Sequence, residues 1–132
     1  MSDWTQPGVD PVADGVYRLP LPLPDDGLRA VNVYAVLDGD GVTLVDAGWA
    51  LADSLDLLEA GLRELEVGLA DITRILVTHA HQDHYTQAVT IRERVGTHVL
   101  LGEHERPMLE TILDPGNDPL GRQVAALHRM GA

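Results

Sequence analysis

Alternation of apolar and polar positions divides the chain into a strand-rich first third and a helix–strand remainder. Residues 1–14 carry Pro7, Pro11, Asp3 and Asp10 without a periodic apolar pattern, and read as an extended lead-in. Val16-Tyr17-Arg18-Leu19 predicts a short strand, ended by the alternating prolines Pro20, Pro22 and Pro24, which suit an edge or a loop. Ala30 to Leu37 and Val42 to Asp46 predict two strands joined by Asp38-Gly39-Asp40-Gly41, a turn in which glycine supplies positive φ. In the first of these strands Val31, Val33, Ala35 and Leu37 lie on one side and Tyr34 and Val36 on the other. Apolar residues on both sides predict a sheet covered on both faces.

Leu51, Leu55, Leu58, Leu62 and Leu65 form one helical stripe, with Asp56, Glu59, Arg63 and Glu66 facing away and Gly68 as the expected terminator. Asp53 or Asp56 is placed near the amino end of that helix. Thr73 to Val77 then predicts a buried strand. Tyr85, Ala88, Ile91 and Val95 mark a second helix ended by Gly96, and His98 to Leu101 a further strand. Helical patterning resumes over Glu105 to Leu113, pauses at the Asp114–Pro119 loop, and returns with Leu120, Val124 and Leu127. Strands followed by helix–strand–helix–strand–helix make an α/β fold of a single domain. The helices cover one face of the sheet, and nothing evident covers the other. The expectation is therefore an incomplete folding unit, or one completed by a partner.

Composition narrows the chemistry. The 132 residues hold no cysteine, so disulfides and thiolate metal sites are excluded and any metal must be held by histidine and carboxylate. The net charge is −12 and all nine basic residues are arginine, which argues against nucleic acid and against membrane surfaces as partners. Aromatic residues are 4% of the chain and phenylalanine is absent, so the core is aliphatic. The polar amino terminus lacks a basic segment followed by an apolar one, which does not resemble a signal peptide and predicts a cytoplasmic protein.

Half of the six histidines fall in Thr78-His79-Ala80-His81-Gln82-Asp83-His84, directly after the predicted buried strand. His79 and His81 are two apart, so on leaving a strand their side chains point the same way. Two converging imidazoles suit one zinc ion at about 2.0–2.1 Å per bond. Asp83 and His84, further along the turning loop, are placed for a second ion nearby. Two ions about 3.5–4 Å apart clamp a bridging hydroxide. The bland alternative is a run of solvated loop histidines.

The His-x-His-x-Asp-His string on a strand-to-helix loop resembles the signature of the metallo-β-lactamase-fold hydrolases. Val45-Asp46-Ala47-Gly48 resembles that family's second characteristic element, a strand ending in Asp, a small residue and Gly. The resemblance spans roughly residues 15 to 105. It implies the N-terminal half of an αββα sandwich, a mixed sheet with helices on one face and without the C-terminal half. It also implies two zinc ions, with His79 and His81 on the first and Asp83 and His84 on the second. Asp83 would orient the nucleophile as well, and Asp46 would support the metal loop from behind it. The ordinary alternative for Asp46 is a turn-forming residue at a strand end.

Two departures stand out. The family places a Gly two residues after the last motif histidine; here that position is Thr86, which leaves Tyr85 to line the pocket. The family also completes its metal sites with later residues: a His, an Asp bridging both ions and a further His. His98, His104 and His128 lack the Gly-His context of those ligands and are not expected to replace them. Trp49 is read equally as a pocket wall or as core.

The implied activity is hydrolysis of an ester, thioester or lactone of a small molecule by a hydroxide held between two zinc ions, in the broad glyoxalase II-like group. The alternative is a truncated, non-catalytic remnant, or a subunit needing a partner, including a homo-oligomer, to complete the site.

Overall fold

The computed structural model describes residues 3–24 and 29–107. The chain divides into two compact units, Met1–Leu101 and Gly102–Ala132. The first holds a six-stranded sheet in chain order: β1 (Asp10–Ala13), β2 (Val16–Pro22), β3 (Ala30–Leu37), β4 (Val42–Val45), β5 (Ile72–Val77) and β6 (His98–Leu101). The strands from β1 to β4 pair antiparallel; β4–β5 and β5–β6 pair parallel, across helices α1 (Ala52–Glu64) and α2 (Gln82–Val95). Of the second unit, residues 102–107 are described, and they begin with a 3-10 turn, Glu103–Glu105. The helical segments expected beyond Pro107, and His128, lie outside the described residues.

Directly paired residues share a face of the sheet. Leu19 faces Val33, Leu21 faces Val31, and Ala35, Leu44 and Ile75 form one row; all are buried. Helix α1 lies against β2, and α2 against β5 and β6. Leu55, Leu58 and Leu62 of α1 and Ala88 and Ile91 of α2 complete this aliphatic core. On the other face the row Tyr34, Val45, Leu76 and Leu100 is open: Leu76 is 40% exposed and Leu100 49%. The mixed sheet with its helices is therefore the half-sandwich expected, with the second apolar face uncovered among the described residues.

The structure differs from the pattern at four points. The lead-in contributes β1, whose four residues are all exposed and hence carry no apolar signature. Strand β2 runs on through the proline segment to Pro22 because β1 reaches only as far as Asp10 opposite Arg18. Pro20 and Pro22 lie two apart, so both missing N–H groups fall on one strand edge, and among the described residues no ladder continues beside them. Helix α1 is closed by Leu65 and not by Gly68: the Leu65 and Val67 N–H groups both donate to the Leu62 carbonyl, and Glu66 takes the left-handed φ of 63°. Helix α2 begins at Gln82, so Asp83 and His84 sit in its first turn instead of on the preceding loop. It ends as expected on Gly96, whose φ of 72° is the left-handed cap geometry.

Candidate metal centre

Because β4 and β5 are parallel neighbours, the segments that follow them leave from the same end of the sheet. The Asp46 N–H donates to the Leu76 carbonyl at 2.8 Å, which turns the chain at the end of β4 beside β5. Asp46 takes a φ of 61°, a region where Asp is among the few side chains tolerated. Asp46 is 5% exposed, and its carboxylate is aimed at the start of the histidine motif.

There it accepts three groups. The Thr78 N–H donates to Oδ1 at 2.8 Å, the Thr78 hydroxyl lies 3.0 and 2.9 Å from Oδ1 and Oδ2, and His84 Nδ1 is 2.8 Å from Oδ2. An ionised carboxylate only accepts, so Nδ1 of His84 carries a proton and, in the neutral ring, the lone pair is on Nε2. The Thr78 hydroxyl spends its single proton on Asp46. It therefore accepts from His79 Nδ1, 2.9 Å away, which leaves the His79 lone pair on Nε2 as well. One carboxylate thus sets the tautomer of two imidazoles, directly for His84 and through Thr78 for His79. Fixing the distal nitrogen in this way is how proteins orient imidazole for a metal.

The remaining donors are close by. The His79 ring sits edge-on to His81, with centroids 4.5 Å apart, and tilted on His84 at 4.2 Å. Asp83 Oδ2 is 3.5 Å from His84 Nε2. The sequence-predicted residues His79, His81, Asp83, His84 and Asp46 are all brought into this one cluster. Among the described residues, however, no group of three or more histidine, aspartate or glutamate side chains is arranged to hold an ion. The donor chemistry suits zinc, three imidazoles and a carboxylate without thiol, and the donors are gathered but not converged.

Other candidates fall elsewhere. His98 and His104 are exposed on β6 and on the 3-10 turn after it. Tyr85 is buried, 8% exposed, on α2, and burial raises its phenol above the usual 10.0. Trp49 is half-buried. A shallow cleft of about 530 Å³, lined by Asp38, Asp40, Thr73, Arg74 and His98, belongs to the opposite end of the sheet. Sequence reasoning gave no role to Thr78, although it opens the motif. It also passed over Gln87, an amide on α2 with nothing in its spacing to mark it.

The profile of the Metallo-beta-lactamase superfamily matches residues 26–123, nearly three quarters of the chain. The chain belongs to the metallo-β-lactamase superfamily. It is 37% identical over 67 residues to the Bacillus subtilis (strain 168) protein named Probable metallo-hydrolase YqjP, covering 51% of this chain and 20% of that one. It is 34% identical over 79 residues to a hydroxyacylglutathione hydrolase of Bradyrhizobium sp. (strain ORS 278), covering 58% and 31% respectively. Among solved structures, a metallo-beta-lactamase family protein from Thermus thermophilus superposes with a TM-score of 0.65 at 36% identity, covering 70% of this chain and 30% of that one. The chain thus spans a fifth to a third of the length of these superfamily relatives. Among the described residues no helix is long and apolar enough to cross a membrane.

Proposed function

We propose that this superfamily member contributes the histidine-rich metal site of a zinc-dependent hydrolase acting on a small ester, thioester or lactone. The observation that carries the reading is the Asp46 carboxylate, 2.8 Å from His84 Nδ1 and bonded to Thr78, which in turn holds His79. An arrangement that leaves two Nε2 lone pairs free has a use in ligation and none evident in packing. His79 and His81 would hold one ion, and Asp83 and His84 a second. Bound there, the ions would supply Lewis acidity and lower the pKa of a coordinated water to about 7.

The chain's own groups do the rest. Asp46 keeps His84 and, through Thr78, His79 in the ligating tautomer. Asp83 Oδ2, beside His84 Nε2, would accept a hydrogen bond from the attacking water and so orient its lone pair at the carbonyl carbon. The relative named as a hydroxyacylglutathione hydrolase supports a thioester as the first substrate to try. The test is zinc content after dialysis, paired with hydrolysis of thioester and lactone panels. Retained zinc with turnover of either class supports the proposal; no zinc uptake and no turnover would overturn it.

A second reading has the chain bind metal only together with ligands from a partner, a second copy included. It is favoured by the lack of a converged three-donor group among the described residues. Zinc uptake that rises with the square of protein concentration would select it.

A further inference from the structure

Thr86 stands where the superfamily's Gly is expected, and it and Gln87 have side chains that reach out of α2. The segment from Asp46 to Ala50 is fastened to that helix by both backbone and side chain. Ala47 N–H donates to the His84 carbonyl at 3.1 Å, and Gln87 N–H to the Gly48 carbonyl at 3.0 Å. The Gln87 amide Nε2 donates to the Ala47 carbonyl at 2.8 Å. The Thr86 hydroxyl donates to the Gln82 carbonyl at 2.7 Å and accepts the Ala50 N–H at 2.9 Å. Gln87 is 1% exposed, and its Oε1 has no hydrogen-bond partner among the described residues. A buried amide left half-satisfied is uncommon. Its remaining bond, to Ala47, is the one that matters.

The turn it grips is under constraint. Gly48 has a φ of 93°, and a Cβ there would lie 2.7 Å from Leu21 Cδ1 and 3.3 Å from Gln87 Nε2. Asp46, two residues earlier, holds a left-handed backbone that persists only where its surroundings over-determine it. We infer that Thr86 and Gln87 are positioning residues: together they clasp the Ala47–Ala50 turn onto α2 and thereby hold the Asp46 carboxylate on His84 and Thr78. The part of this inference that concerns metal rests on the function proposed above; the clasp itself does not.

Thr78 is exposed, so protection of its amide depends on the Asp46 carboxylate. Hydrogen exchange in the metal-free chain therefore reads the clasp alone. Gln87→Met keeps length and burial but removes the donor; Thr86→Val keeps shape but removes the hydroxyl; Thr86→Ser restores it. We expect Thr78 amide exchange to rise about tenfold in Gln87→Met and Thr86→Val, with the β2–β3 amides unchanged and Thr86→Ser near wild type. The zinc dissociation constant should rise about tenfold in the same two variants, the lower end of the range for residues supporting a ligand. Wild-type Thr78 protection in both variants would overturn the clasp, as would a failure of Thr86→Ser to restore it. Should Gln87→Met fail to fold, the Thr86 pair decides. Should the wild type bind no zinc, the metal reading falls while the exchange data still judge the clasp.

Discussion

Asp46→Asn isolates the tautomer argument from the fold. Asparagine has the same shape and tolerates the left-handed φ of 61°. Its carbonyl can still accept the Thr78 N–H that Oδ1 accepts at 2.8 Å. What it cannot do is accept from both Thr78 and His84: one of the two oxygens becomes an NH₂ donor facing His84 Nδ1, formerly 2.8 Å from Oδ2. Two donors cannot bond, so the ring moves its proton to Nε2 and presents N–H where a metal ligand is needed. The cost to folding is the difference between a charge-assisted and a neutral hydrogen bond, about 1–2 kcal/mol. The cost to metal binding should be larger in effect, about 10–100-fold in zinc affinity, or about 1.4–2.8 kcal/mol. Zinc titration against a chelator gives the affinity, and nitrogen-15 shifts of the His84 ring in the metal-free protein give the tautomer. If the Nδ1–H form persists in Asp46→Asn and zinc affinity stays within twofold, the reasoning is wrong.

Alanine at His79, His81, Asp83 or His84 should abolish thioester and lactone hydrolysis and lower bound zinc, whereas His98→Ala and His104→Ala, at exposed positions, should leave both near wild type; full activity in His79→Ala or Asp83→Ala would sink the assignment. The open sheet face should bind an apolar dye, and Leu76→Thr with Leu100→Thr should reduce that binding while changing stability by no more than about 0.5 kcal/mol each. Burial raises the Tyr85 phenol above 10.0, with nearby Arg92 opposing the shift. A folded pKa above the unfolded one contributes stability that is complete below the unfolded value and is lost as pH rises through the folded one, so the urea midpoint should fall as pH rises above 10.0 and fall less in Tyr85→Phe.

Strong periodicity made much of the fold readable in advance. The β3–β4 hairpin, the α1 leucine stripe, β5 and the Gly96 cap follow from alternation, helical spacing and one positive-φ glycine. Strand β1 was hidden because all four of its residues are exposed, and the reach of β2 because proline argues against a strand unless its edge is free. At the site, the spacing of His79, His81, Asp83 and His84 marked them as one group, and the structure gathers them. The Asp46–His84 bond joins residues 38 apart in sequence, and local spacing carries no trace of such a contact. Asp46 came from resemblance, and Gln87 from neither, since an amide on a core-facing helix position looks like a break in the stripe.

The parallel pairing of β4, β5 and β6 separates the two ends of the sheet. Strand β5, six residues long, puts about 20 Å between the histidine loop and Asp40, which precedes Val42, the partner of Ile72 at the start of that strand. That far rim is consequently a handle. A fluorophore or a surface tether attached through a cysteine placed at Asp40 would meet no competing thiol, since the chain has none. The label would report on the protein from well outside the reach of the imidazoles.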